Sequence, residues 1–160
     1  MELLVLITGL AVIGTLVWQG YALRIMPVPT TRGMRQAAIG LMPAHPGLVI
    51  ELGSGWGGMT RKLQKAFPDA QVVGYERSLL PYLASTFIAN TRRGDIFAVD
   101  LSQADIVFCY LSPWHLVALE PQFKTMKPGA TIISVSFPFL AWEPAATKDI
   151  GFTRVYAYTV

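Results

Sequence analysis

A glycine-rich turn between an apolar run and a helical pattern constrains the fold of this chain more than any other feature. The run at residues 48–52 is apolar except for Glu51, and it leads directly into the stretch GSGWGG at residues 53–58. Glycines at such a turn allow a tight bend off a strand and let a ligand approach bare backbone. The pattern predicts an open α/β sheet with a binding site after its first strand.

Apolar runs and helical patterns alternate through the remainder of the chain. Strands are predicted at residues 48–52, 71–76, near 95, 105–111, 130–137 and 153–160, and helices at 59–67, 79–89 and 113–126. Nearly continuous apolar strands separated by helices are typical of a mostly parallel sheet that is covered on both faces. We predict a Rossmann-like α/β domain at residues 48–160. Because this segment is short for a seven-stranded domain, we expect a sheet reduced in size.

The N-terminal segment is uncharged from residue 3 to residue 23. A helix of this length spans roughly 30 Å, which matches the hydrocarbon core of a bilayer. Trp18 and Tyr21 lie where an aromatic belt is expected, and arginines follow the run whereas Glu2 precedes it. We predict a single-pass transmembrane anchor at residues 1–25, in lipid contact through residues 3–23, with the N-terminus outside and the folded domain in the cytoplasm.

Two other interpretations of this segment remain, a signal peptide and a buried core helix. The acidic start and the long apolar run argue against a signal peptide. The small size of the following domain argues against a fully buried helix. Residues 26–47 then form a linker with prolines at 27 and 29, followed by a short helix over residues 32–41 that Thr31 is placed to cap.

Charge and cysteine content limit the partners of the chain. The formal net charge is +3, and the basic residues occur in short pairs, so we expect no nucleic-acid partner. Cys109 is the only cysteine and lies in an apolar run, which rules out an internal disulfide and favours a reducing compartment. We expect no metal site.

Three carboxylates are predicted at the ends of successive strands. Glu51 precedes the glycine turn, Glu76 ends the second strand, and Asp95 lies near the third. Carboxyl ends of parallel strands meet at one edge of a sheet, so these side chains are expected together. The two oxygens of Glu76 suit the vicinal hydroxyls of a ribose.

The glycines fit two different nucleotide-binding patterns. Gly53, Gly55 and Gly58 match the G-x-G-x-x-G spacing of dinucleotide-binding folds. Gly53, Gly55 and Gly57, preceded by an acid, resemble instead the turn of class I methyltransferases. That resemblance implies S-adenosylmethionine as cofactor, with Glu51 near its ammonium group and an acid near its adenine. The cofactor-binding residues that it implies are Glu51, Gly53, Ser54, Gly55, Gly57, Glu76, Asp95 and Thr30.

Longer motifs resemble one family within that class. They are the anchor, PVPT at residues 27–30, ELGSGWG, VGYE, RRGDIF, DLSQADIVFCYLSP, MKPG and SFPFLAWEP. The chain is similar in these to single-pass protein-lysine N-methyltransferases whose mitochondrial members modify the ATP synthase c subunit and the adenine nucleotide translocase. The resemblance implies a membrane-protein lysine as substrate. Trp56 stands where relatives usually carry an acid, and we expect it to reshape the pocket.

Residues for the methyl acceptor are expected after the fourth strand. Tyr110, Ser112 and Pro113 occupy that position. Aromatic side chains can line a lysine channel through cation–π contact, and Phe137, Phe139 and Trp142 are the candidates; the alternative is that they are core residues. The start of the chain lacks an Arg- and Ser-rich presequence, so we expect a prokaryotic plasma membrane. A cofactor-binding module without turnover and a dinucleotide oxidoreductase are the alternative functions.

Overall fold

The computed structural model describes residues 1–10, 14 and 30–160. Residues 2–10 are helical and exposed, and their apolar side chains include Leu3, Leu4 and Leu6. Most of the predicted anchor lies outside the described residues. None of the described helices combines the length and the apolar character that are needed to cross a membrane. The anchor therefore stays a prediction.

A seven-stranded sheet forms the centre of the domain. Its strands are β1 (Leu48–Leu52), β2 (Gln71–Glu76), β3 (Thr91–Arg93), β4 (Ile106–Cys109), β5 (Thr131–Val135), β6 (Ala146–Ile150) and β7 (Thr153–Thr159). They lie in the order β3-β2-β1-β4-β5-β7-β6, and β7 is antiparallel to both of its neighbours. From β1 the chain adds β2 and β3 on one side of the sheet and then continues with β4 on the other side, so the strand order reverses between β1 and β4. In open α/β sheets, ligands bind in the crevice at the carboxyl ends of such a pair.

Four helices cover the two faces of this sheet. They are α1 (Arg32–Gly40), α2 (Gly58–Ala66), α3 (Leu79–Ser85) and α4 (Pro113–Phe123). On one face, Ala38 of α1 and Leu63 of α2 are buried in one apolar cluster, whereas Leu116 and Phe123 of α4 are buried in the cluster on the other face. Adjacent residues of β4 alternate between these clusters, as expected for a sheet covered on both sides. The predicted mostly parallel α/β fold is confirmed.

The expected reduction of the sheet is wrong, because a strand was missed. Ala146–Ile150 forms β6 at the edge of the sheet and pairs with β7. Four of its five residues are exposed, so the segment carries no apolar signal. The segment between β3 and β4 contains the 3₁₀ turn Ile96–Ala98.

Several predicted element ends differ from the structure. The helix predicted to residue 89 ends at Ser85, and the helix predicted to residue 126 ends at Phe123. Thr31 caps α1 as predicted, since its hydroxyl accepts a hydrogen bond from the Met34 amide at 3.3 Å. The third strand ends at Arg93, so Asp95 belongs to the following turn.

Candidate functional site

Backbone hydrogen bonds hold the glycine turn against β2, and the turn is open to solvent at Gly55. Gly53, Gly55 and Gly57 have φ angles of +78°, +52° and +78°, a region that side chains disfavour. The amides of Gly53 and Ser54 both donate to the carbonyl oxygen of Tyr75 at 2.9 Å. A Cβ atom added to Gly55 would have no atom within 4 Å. A ligand can therefore approach the backbone at Gly55.

Two other glycines allow the surrounding elements to pack closely. A Cβ atom on Gly57 would lie 2.9 Å from Cβ of Ser85, so α3 packs directly against the turn. A Cβ atom on Gly74, in β2, would lie 2.5 Å from Oγ1 of Thr60 and 2.7 Å from Cβ of Ser54. Gly74 was not predicted as a site residue, although a glycine inside an apolar strand is the known signal for close backbone approach.

Glu51 lies buried beneath the turn, with 4% of its surface exposed. Its Oε2 accepts a hydrogen bond from the hydroxyl of Thr60 at 2.5 Å, beside the N-terminus of α2. Burial raises the pKa of this carboxyl from 4.5 to about 8; hydrogen bonds from Thr60 oppose the increase, Glu76 adds to it, and Arg35 opposes it. The Glu51 carboxyl therefore titrates near neutral pH, and a cation bound beside it would favour its ionised form.

Stability is expected to fall as pH rises because of Glu51. The pKa of this acid is higher in the folded state than its ordinary value of 4.5, so the folded state binds more protons between 4.5 and about 8. The free energy of unfolding should then decrease through that window, by more than about 1 kcal/mol. Urea unfolding at several pH values, compared with Glu51→Gln, measures the difference. Equal pH slopes for the two proteins would contradict this account.

Glu76 links the turn to the start of α3. Its Oε2 accepts from the amide of Gly55 at 2.8 Å, and its Oε1 accepts from the amide of Ser78 at 2.7 Å. The side chain is 9% exposed. Each carboxylate oxygen can accept more than one hydrogen bond, so capacity for ribose hydroxyls remains. Glu51 and Glu76 lie close enough to interact electrostatically, as their strand positions predicted.

Asp95 lies at the carboxyl end of β3 and begins the 3₁₀ turn. Its Oδ1 accepts from the amide of Phe97 at 3.1 Å, and its Oδ2 lies 3.3 Å from Nη1 of Arg77. An aromatic group adjoins it: the ring of Phe97 is stacked on His115 at 5.9 Å, and Trp114 meets His115 edge-on at 5.1 Å. These three rings were not predicted as site residues. They form a cluster of rings beside Asp95, in which Phe97 and His115 are stacked and Trp114 lies edge-on to both.

Tyr110, Ser112 and Pro113 follow β4 on the same edge of the sheet. The hydroxyl of Ser112 lies 2.7 Å from Nδ1 of His115, which is 4% exposed. Burial lowers the pKa of His115, with Asp95 opposing, so the imidazole is neutral at pH 7. The structure therefore holds a polar Ser–His pair at the predicted acceptor position.

Ser54 and Thr30, two of the predicted cofactor-binding residues, differ in their hydrogen bonds. The Ser54 hydroxyl is buried next to Gly74 and has no hydrogen-bond partner among the described residues, whereas the Ser54 amide donates to the carbonyl oxygen of Tyr75. The carbonyl of Thr30 accepts from Nε of Arg35 at 2.8 Å, which places the entry segment at the start of α1. The side chain of Trp56 is 50% exposed.

The predicted lysine channel is only partly brought together. Phe139 is buried and packs against Phe123 and Tyr158, which favours the alternative of a core residue at this position. Trp142 packs on Phe139, whereas Phe137 is 37% exposed. Ser136 has a φ of +70°, unusual for a residue with a side chain, immediately before Phe137. Backbone strain of this kind is concentrated at functional sites.

The fold and this site are those of a class I S-adenosylmethionine-dependent methyltransferase domain. A buried carboxyl precedes the glycine turn, and a second carboxylate ends β2 at the strand-order reversal. The model of the ANTKMT methyltransferase domain matches residues 51–146. The chain belongs to this family.

Individual relatives agree with that assignment. Adenine nucleotide translocase lysine N-methyltransferase of Mus musculus is 29% identical over 134 residues, covering 76% of this chain; the chain spans 57% of the mouse protein. The crystal structure of an RNA methyltransferase from Salinibacter ruber with S-adenosyl-L-homocysteine has a TM-score of 0.75 at 26% identity, covering 83% of this chain and 94% of that one. A Geobacter sulfurreducens methyltransferase, at 19% identity and a TM-score of 0.57, covers 69% of this chain and 50% of its own and shows the same fold.

Proposed function

We propose that this chain is a protein-lysine N-methyltransferase that acts on a membrane protein. The observation that carries the proposal is the 134-residue similarity to the mouse enzyme, whose name states lysine methylation of adenine nucleotide translocase. The edge of the sheet that binds ligands in such folds carries Glu51, Glu76 and the residues after β4. The proposal extends the family assignment to a substrate.

The residues at the glycine turn fit S-adenosylmethionine. Open space at Gly55 leaves room for a ligand against the backbone, while the amides of Gly53 and Gly57 hold the turn in shape by donating to the carbonyl oxygens of Tyr75 and Ser54. The residues that would hold the cofactor are Glu51, Gly53, Ser54, Gly55, Gly57, Glu76, Asp95 and Thr30. When bound, S-adenosylmethionine supplies a methyl group activated on a sulfonium.

Each carboxylate has a separate task in this proposal. Glu51 is the counter-charge for an ammonium group, and a nearby cation favours its ionised form over the neutral form that burial favours. Glu76 receives ribose hydroxyls on the lone pairs that its two amide partners leave free. Asp95 accepts a hydrogen bond from an exocyclic amine next to the rings of Phe97 and Trp114.

The acceptor side favours a neutral amine. A lysine must lose its proton before it attacks, and a poorly solvated position lowers its pKa. Ser112 and the neutral His115 offer hydrogen bonds without placing a positive charge at the acceptor. Tyr110 is half-buried and Pro113 exposed at the same strand end. Phe137 and Trp142 are proposed to border the path of the lysine side chain.

A membrane location fits this substrate. The helical residues 2–10 expose leucine and isoleucine side chains to their surroundings, which supports an anchor at residues 3–23. An enzyme held in the same bilayer as its substrate meets it at high effective concentration. We place the anchor in a prokaryotic plasma membrane, with the N-terminus outside and the catalytic domain in the cytoplasm.

RNA methylation is the second candidate function. The Salinibacter ruber protein, titled an RNA methyltransferase, is matched over 94% of its length. The described residues contain all seven strands of the sheet. The cofactor site is therefore formed within this chain, whether the substrate is a protein or an RNA. The two candidate functions differ in the acceptor of the methyl group, which is a protein lysine in one and RNA in the other.

Labelled S-adenosylmethionine separates the two candidates. The full chain is incubated with bacterial membranes and, separately, with total RNA. We expect label on lysines of a membrane protein, located by mass spectrometry, and about a tenfold lower rate for Ser112→Ala with unchanged cofactor affinity. Thr125→Ala, an exposed hydroxyl after α4, serves as the matched control. Label in RNA alone, or in soluble proteins alone, would overturn the proposal.

A further inference from the structure

A cleft lined by cations runs along the outer side of α2. We name it the basic cleft; its volume is about 330 Å³, and its described lining residues are Arg35, Gly58, Arg61, Lys62, Lys65 and Ile88. Residues 58, 61, 62 and 65 follow the i, i+3, i+4, i+7 spacing of one helix face, so they share one side of α2. Arg35 faces them from α1, with Nη2 3.9 Å from the position of a Cβ atom on Gly58. Two helices therefore contribute positive charge to one concavity.

Arg61, Lys62 and Lys65 of the basic cleft form no ion pair among the described residues, whereas Arg35 interacts electrostatically with Glu51. Every charged residue described in its lining is basic, and Arg61, Lys62 and Lys65 are exposed. The ion pairs found among the described residues are Arg77–Asp95, Lys127–Asp105 and Arg154–Asp149. Like charges gathered in a concave surface produce a local positive potential that attracts anions. The cleft is thus suited to an anionic partner.

Exposed apolar side chains border the basic cleft. We name them the apolar row: Leu79, Leu83, Phe87 and Ile88, exposed by 41%, 47%, 88% and 43%. The first three are spaced by four residues along α3 and the turn after it, so they project to one side. Ile88 also lines the basic cleft, which makes the two features continuous. A continuous exposed apolar group of this kind marks an interaction surface.

We propose that the basic cleft and the apolar row dock on the anionic lipid headgroups of the membrane that holds residues 3–23. Cations beside exposed apolar side chains match a bilayer surface, since the cations meet phosphates while the apolar groups enter the interface. Helix α1, which carries Arg35, follows the apolar N-terminal run closely in sequence. The inference rests on the proposed membrane location. It adds that headgroups fix how the domain is oriented on the bilayer.

The composition of the surface favours lipid over nucleic acid. The basic cleft alone would suit a phosphate backbone of either kind. Transfer of exposed leucine and isoleucine side chains from water into the interfacial region of a bilayer is favourable. Binding of single-stranded nucleic acid relies instead on aromatic rings that stack with bases. Phe87 is the one ring in the apolar row.

Amine labelling of the full chain tests the docking surface. The protein is reconstituted in nanodiscs of phosphatidylcholine alone or with phosphatidylglycerol, and acetylation rates of individual lysines are measured by mass spectrometry. We expect Lys62 and Lys65 to react about fivefold more slowly in the anionic discs. Lys124, exposed at the end of α4 on the opposite face, should react equally in both. High salt should remove the difference.

A charge-reversal variant makes the test specific. Arg61→Glu should abolish the protection of Lys62 and Lys65, whereas Lys124→Glu, with the same change in net charge, should leave it intact. Equal labelling in both kinds of disc would overturn the proposal, as would protection by an RNA oligonucleotide without protection by lipid. Flotation of the chain with neutral vesicles tests the anchor separately, and lysine methylation tests the proposed activity, so the three failures are distinguishable.

Discussion

Replacement of Glu76 by alanine is expected to weaken S-adenosylmethionine binding about a hundredfold, the effect of losing two hydrogen bonds to a charged group. The carboxylate accepts from the amides of Gly55 and Ser78, so its removal frees the turn as well as the proposed ribose contact. Isothermal titration calorimetry measures the affinity. Glu76→Gln should lose less, because an amide keeps one acceptor oxygen.

The matched control for this experiment is Glu143→Ala. Glu143 is exposed and lies between β5 and β6, neither of which is adjacent to β1 in the sheet. Its replacement should leave cofactor affinity unchanged. Thermal unfolding of both variants separates loss of binding from loss of folding. If Glu76→Ala binds the cofactor as the unchanged chain does, the assignment of this carboxylate to the cofactor site is wrong.

Replacement of Gly74 by alanine is expected to lower the free energy of unfolding by about 2–3 kcal/mol, as overpacking of a close contact does. The added methyl group would lie 2.5 Å from Oγ1 of Thr60 and 2.7 Å from Cβ of Ser54. Both neighbours belong to elements that a shift would displace, namely α2 and the glycine turn. Because Thr60 donates to Glu51, displacement should weaken cofactor binding as well.

Gly40→Ala provides the matched control for Gly74. The same methyl group at Gly40, the last residue of α1, would meet no atom within 4 Å. Its replacement should be neutral or stabilise by about 0.5 kcal/mol, since alanine restricts the unfolded chain. Urea unfolding without cofactor compares the two variants. Equal stabilities would show that β2 and α2 can separate at no cost, contrary to the packing described here.

The sequence predicted correctly those elements whose bounds are marked by neighbouring residues. Strands β1 and β2 have the predicted bounds because apolar runs end at a glycine turn and at Glu76. The mostly parallel fold and the S-adenosylmethionine cofactor are confirmed. Strand β6 was missed since its exposed residues, such as Lys148 and Asp149, resemble a loop. An edge strand is defined by the neighbour with which it pairs.

The sequence by itself determined the order of the helices and of every strand except β6, the glycine turn, and the acids Glu51 and Glu76 at the ends of the first two strands, because each is written in consecutive residues. Tertiary structure alone decided which groups meet. It buried Phe139 in the core, stacked His115 on Phe97, and brought Arg35 to the cations of α2. These neighbours lie far apart along the chain, and their contacts depend on how helices pack across the sheet. No periodicity in the sequence carries that information.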